Sequence, residues 1–190
     1  MNNEEKKTIF GLDFIQKIIL VVLTFICTTV LGTIISLTIQ ERNKEKELQL
    51  IKIEEKIRRA EICYNNISAL LDSRSYHARR VIDSYFVDFL LAERKTIWDN
   101  YEKVLIVWNT NINRNLSNIE YYFGRSNREQ LYNIWIDDFY VMHKDLQELK
   151  INRNKKKYEV YMKKIESINH KIEMFNINLL EKLNIMNIRI

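Results

Sequence analysis

Two clusters of basic residues are the parts of this 190-residue chain best equipped for chemistry. Arg74, His77, Arg79 and Arg80 form the first, and Lys150, Arg153, Lys155, Lys156 and Lys157 form the second. Asp72 is the only acid in the stretches 72–80 and 150–157. Arginine forks and helix N-termini suit phosphate. Tyr76 and Tyr158 could stack on a base, as in single-strand binding. The candidate ligand-binding set is therefore Arg74, Arg79, Arg80, Arg153, Lys155, Lys156 and Lys157, with a nucleotide or oligonucleotide as the ligand. The competing reading is that these side chains only solvate exposed loops.

Catalytic chemistry finds less to work with. Helical nucleases of the HEPN type place an arginine five to seven residues before a histidine. Those positions hold Asp72, Leu71 and Leu70 before His77, and Asp138, Asp137 and Ile136 before His143. Before His170 they hold Ile165, Lys164 and Lys163, so the motif is absent. Di-metal carboxylate bundles need Glu-x-x-His pairs, and none occurs. Glu166 and His170 share a helix face as a surface pair would. Asp137-Asp138 reads as a solvated face. No Cys/His spacing suggests zinc, and there is no phosphate-cradling glycine loop or nucleophile elbow. The expectation is a non-enzymatic chain with no catalytic residue, no metal and no cofactor.

Ile18 to Ile39 is a run of twenty-two residues without a charge. A bilayer core about 30 Å thick needs roughly 20 apolar helical residues to cross it. The run is longer than a signal-peptide core, and Ser36 to Glu41 offers no small-residue cleavage site. The layout is a short tail at 1–17, a transmembrane helix at 18–39 and a cytosolic domain at 40–190. Lys6, Lys7 and Lys17 precede the span, whereas Arg42, Lys44, Lys46, Lys52, Lys56, Arg58 and Arg59 follow it. That excess places the C-terminal part in the cytosol and the N-terminus outside the inner (plasma) membrane. Within the span, Thr29, Thr33, Ser36 and Gln40 put polar groups on one face. Thr28, Gly32 and Ser36 form an overlapping small-residue track. Thr29, Gly32, Thr33, Ser36 and Gln40 are the candidate pore or helix–helix face. The alternative is a passive anchor whose hydroxyls bond their own backbone.

The chain has no proline and three glycines, so long helices are expected and the fold class is all-α. Its net charge of +5 belongs to the part after the span. Leu50, Ile53, Ile57, Ala60, Tyr64, Ile67 and Leu71 alternate steps of three and four, a coiled-coil-like seam. A second helix is expected from about residue 76 to 112, with Ile82, Tyr85, Phe89 and Ala92 inward, then Ile97, Tyr101, Val104 and Trp108. Asn-rich Thr110 to Asn115 should break it. Ser117…Glu120 and Ser126…Glu129 match capping boxes, and Gly124 is a natural stop. A third helix, 127–150, carries Trp135, Phe139, Met142, Leu146 and Leu149. The last carries Tyr158, Tyr161, Ile165, Ile168, Ile172, Phe175, Leu179, Leu183 and Met186. Short links favour an antiparallel bundle continuing from the transmembrane helix, with links 72–78 and 150–157 at its membrane-distal end. A parallel coiled coil that oligomerises through these seams is the runner-up. Cys27 in the span and Cys63 beyond it should not pair.

The span Ile18–Ile39, its basic exit at Arg42 and Lys44, and a small cytosolic domain resemble membrane effectors of bacterial anti-phage systems, such as the Hailong type. The resemblance is one of architecture, with no diagnostic motif. It implies an oligomeric channel controlled by a nucleotide or oligonucleotide, working on membrane lipid, with a protein partner encoded nearby. It carries over no functional residue. The expectation is a self-associating, membrane-permeabilising effector. The alternative is a membrane-anchored adaptor that binds a helical protein.

Overall fold

The computed structural model describes residues 3–87, 89–151 and 157–188, with side chains from residue 14 onward. Among the described residues every regular element is helical. Helix α1 runs Asn3–Phe86, α2 Leu91–Phe123 and α3 Arg125–Asn133. A π-helical turn, Ile134–Phe139, leads into α4, Tyr140–Ile151, and α5 spans Tyr158–Ile188. The chain divides into two compact units, residues 1–52 and 53–190.

In the first unit every side chain from residue 14 to 52 is exposed. The apolar run is long and apolar enough to cross a membrane, by length and composition. The hydroxyls of Thr24, Thr28, Thr29, Thr33 and Thr38 each donate to the carbonyl four residues back. Such bonds let a helix carry hydroxyls in apolar surroundings without orphaned donors.

The second unit has one apolar core fed by all of its helices. From Ile57 the α1 seam continues without a break through Ala60, Tyr64, Ile67, Leu71, Arg74, Ala78 and Val81, with all but half-buried Tyr64 buried. The link expected at 72–78 is therefore helical. Burial of Leu71, Ala78 and Val81 outweighs the weak helix preference of Asp72, Ser73 and Ser75. The break falls at residues 87–90, where the Leu90 N–H donates to the Glu93 carboxylate at 2.9 Å and opens α2. Ala92, expected inward, is exposed in that first turn.

The Asn-rich segment is also helical. Ile112, Asn115, Leu116, Ile119 and Phe123 continue the buried face of Trp108 and hold it. Ser117 consequently lies inside α2 rather than capping a new helix, and the second capping box lies inside α3, which opens at Arg125. The turn between α2 and α3 is Gly124 alone, at φ 90° and ψ 167°. Its N–H closes α2 on the Glu120 carbonyl, and Lys182 of α5 donates to the neighbouring Phe123 carbonyl at 2.6 Å.

In the third helical stretch the buried positions are Leu131, Ile134, Phe139, Met142, Leu146 and Leu149. The step of five from Ile134 to Phe139 is the π turn, closed by the Tyr140 N–H on the Trp135 carbonyl. A step of four would aim Asp138 inward. The extra residue turns Asp138 out, where both of its oxygens accept from Lys171. In α5 the expected seam is buried from Tyr161 to Leu183. Across α1 and α5, Ser68 meets Asn176, Ser75 meets Asn169 and Asp83 meets Tyr158, so one numbering rises as the other falls. The same holds for Gln130 with Asn178, Asp138 with Lys171, Asp145 with Lys164 and Glu148 with Lys157.

Gly124 occupies a region of backbone space that L side chains rarely enter. Gly124→Ala should destabilise the second unit by about 1–3 kcal/mol. A thermal melt of the full chain in detergent, followed by far-UV circular dichroism, reads this directly. An unchanged melting temperature would mean that the turn relaxes freely.

Candidate functional site

The basic clusters separate once they are placed on the helices. Arg74 occupies a seam position of α1, three residues after Leu71, and is 1% exposed. Its guanidinium lies 5.4 Å from the Trp108 ring centroid and 4.5 Å from that of Phe139. Its Nε and Nη1 have no hydrogen-bond partner, nor does Trp108 Nε1. Desolvation pushes the Arg74 pKa down to about 10. Nearby, the Tyr101 hydroxyl and His143 Nδ1 are 3.1 Å apart. Burial raises the Tyr101 pKa to about 12. Burial, and then the Arg74 charge, lower that of His143. Arg74 is thus a core residue, out of reach of a ligand in solvent.

Arg80 stacks on Phe89, with 5.5 Å from its guanidinium to the ring centroid. Lys157 is paired with Glu148 at 2.9 Å. Next to it, Tyr158 donates to Asp83 at 3.2 Å and packs on Phe86 at 4.9 Å between centroids. The end of α1 and the start of α5 therefore do meet. Arg153, Lys155 and Lys156 lie outside the described residues.

Arg79 alone of the described candidates lines an open cleft. This cleft, about 550 Å³, lies between α1 and α5. Asp72, Ser75, Tyr76 and Arg79 form one wall, at helical steps of three, one and three. Asn169, Glu173, Asn176 and Leu180 form the other, at steps of four, three and four. Ser75 donates to Asn169, and Asn176 donates to Ser68 at 3.0 Å. Asn176 Oδ1 is buried with no partner, an acceptor already turned away from water. Tyr76 is 60% exposed, with its ring edge-on to His77. The cleft thus joins an exposed aromatic face, amide and hydroxyl groups, two carboxylates and one guanidinium within the size range of small-molecule sites. Two carboxylates disfavour a bare polyphosphate, whereas base edges and sugar hydroxyls match amides and carboxylates.

Asn169, Glu173 and Asn176 are absent from the reading of the sequence. Their signal is a polar row beside the α5 seam, offset by one residue from Ile168, Ile172 and Phe175. Among the described residues no group of three His, Cys, Asp or Glu could hold a metal ion. Both cysteines are free, and burial pushes the Cys63 thiol up to about 11. His170 pairs with Glu173 at 3.6 Å rather than with Glu166. Asp137 and Asn133 line a second cleft of about 390 Å³ beside His170. In the first unit Thr29 and Thr33 bond back to Phe25 and Thr29, Gly32 has no atom within 4 Å of a built Cβ, and Ser36 and Gln40 are exposed. No protein-family model, curated protein or solved structure matches the chain.

Replacing an uncompensated buried charge by an apolar side chain of similar length removes its desolvation cost. Arg74→Met should stabilise the second unit by about 1–4 kcal/mol, as an increase in melting temperature. A lower melting temperature would show that the aromatic contacts outweigh desolvation. The histidines set the pH response. His143 and His77 both have lowered pKa values in the folded state, so the unfolded chain binds protons first as pH falls. Stability should be full above about 6.5 and decline below it. His143→Gln should flatten part of that decline between pH 7.5 and 5, and an unchanged slope would exclude His143 as its source.

Proposed function

We propose that the chain is a non-enzymatic, self-associating membrane effector. Ile18–Ile39 crosses the inner membrane with the N-terminus outside. The remainder forms a cytosolic antiparallel bundle that receives a nucleotide or oligonucleotide and controls permeabilisation by the spans. The observation that carries this reading is that a single helix, α1, bears both the exposed apolar run and one wall of the polar cleft, Asp72 to Arg79. A ligand can shift such a device only by binding its two states differently. Tyr76 offers a stacking face, Asn169 and Asn176 offer amides for a base edge, and Arg79 offers a fork for one phosphate.

A second reading, a membrane-anchored adaptor for a helical protein, draws on a groove of about 670 Å³ between α1 and α2. Ile67, Leu70 and Val107 give it apolar walls, and Asn111 and Arg114 a polar rim.

Full-length protein in detergent, titrated with mononucleotides and short oligonucleotides at two salt concentrations, should bind with an affinity that falls as salt rises. Arg79→Glu should weaken binding by about tenfold or more, the scale of one lost charge-assisted contact. Induced expression, alone or with a neighbouring gene, should depolarise cells stained with a potential-sensitive dye. Absent binding at low salt, together with unchanged membrane potential, favours the adaptor.

A further inference from the structure

The exposed stretch of α1 in the first unit carries a seam of its own. Ser36, Ile39, Asn43, Lys46 and Leu50 step by three, four, three and four, the spacing of a coiled coil. Upstream the same count passes through Thr29 and Gly32. Ile39 and Leu50 are 53% and 45% exposed, although α1 is continuous helix there. From Ile57 onward that spacing belongs to side chains already buried in the second unit. Between Ile39 and Leu50 it has no occupant.

We infer that this seam is where a second copy of the chain docks, in parallel and in register. The inference rests on the span reading above, because two copies inserted in one orientation can meet only in parallel. Charge selects the occupant. With Asn43 and Leu50 at first core positions, Arg42 and Glu47 take the flanking positions that face each other between parallel chains. They lie five residues apart, a spacing that does not bring side chains together on one helix. In a parallel pair Arg42 of each copy meets Glu47 of the other, twice by symmetry. An antiparallel or slipped pairing loses both contacts.

Asn43 faces its own copy, and a lone polar core residue of this kind fixes register at a cost in stability. Lys46 adds to that cost and keeps the contact reversible. Nearer the span, Ser36, Gly32 and Thr29 are small enough for close backbone approach. Leu48 is as exposed as Leu50 but stands off the seam, which makes it the internal control.

The test uses full-length protein with Cys27→Ser and Cys63→Ala, reconstituted in phosphatidylethanolamine–phosphatidylglycerol vesicles. Single cysteines are placed at Asn43, Lys44, Leu48 and Leu50 and oxidised with copper phenanthroline. Asn43→Cys and Leu50→Cys should cross-link about tenfold faster than Lys44→Cys and Leu48→Cys, as core and outer positions of a coiled coil differ. Arg42→Glu should slow the seam cross-links, and adding Glu47→Arg should restore them. Uniform or absent cross-linking in carbonate-resistant, membrane-embedded protein overturns the seam and leaves the span reading standing. If carbonate releases the chain, the span reading fails. Seam-specific cross-links in the released protein would still uphold the docking face, and their loss would overturn it too.

Discussion

The guanidinium of Arg74 occupies a position that the three–four spacing of α1 reserves for an apolar side chain, and neighbouring elements are shaped around it. Desolvating a lone cation costs several kcal/mol even after relaxation. Trp108 and Phe139 return part of that, since a desolvated cation over an aromatic face contributes about 2 kcal/mol. Phe139 reaches the guanidinium because the π turn sets it one residue later than an α-helix would. The neighbouring Tyr101–His143 pair is held neutral by burial, with the cation adding to the effect on His143. The charge, the π turn and the neutral pair form one arrangement. Its net contribution is small compared with the apolar seams around it, which burial stabilises at about 25 cal/mol per Å².

That arrangement also decides what is left for a ligand. With Arg74 inside, the outward face of the same α1 turns presents Asp72, Tyr76 and Arg79 to α5. The facing row on α5 is polar for a geometric reason. Ile168, Ile172 and Phe175 fill the core, and the residues directly after them fall on the shoulder of the helix, half in contact with α1. Ser68, Ser75, Asn169 and Asn176 are bonded in pairs across that shoulder. The cleft is therefore floored by side chains with fixed partners and edged by exposed Tyr76, Arg79 and Glu173. Such an order suits recognition better than proton transfer, because no group in it has a shifted pKa.

The long seams were legible because they repeat. Nine positions named on α5 from spacing alone include all seven of its buried residues, and the all-helical class follows from the absence of proline and the scarcity of glycine. Gly124 was legible as a stop because its backbone conformation requires it. The misplaced breaks share one cause. Asp72 to Ser75 and Thr110 to Asn115 are poor helix formers in isolation, but each lies on a helix whose flanking turns are already buried. Tertiary packing then overrides local preference. Arg74 was misread for the same reason, as continuing the seam past Leu71 would have placed it inside. The π turn left only a step of five among steps of three and four. The far wall of the cleft was hidden because asparagines beside a seam resemble ordinary solvated positions.

The π turn has a further consequence, for how the chain tolerates changes in length. One extra residue between Ile134 and Phe139 sets the phase of everything that follows in α4. At 3.6 residues per turn, losing that residue would rotate Met142, Leu146 and Leu149 by about 100° away from the core. It would bring Asp138 inward in their place. An in-frame loss of a single codon there would leave composition and hydrophobic content almost untouched, yet scramble the interior. A loss of the same size at residues 40–48, where every side chain is exposed, would disturb no buried contact. The hexapeptide is in this sense a frame marker, the place where this protein counts its residues most strictly.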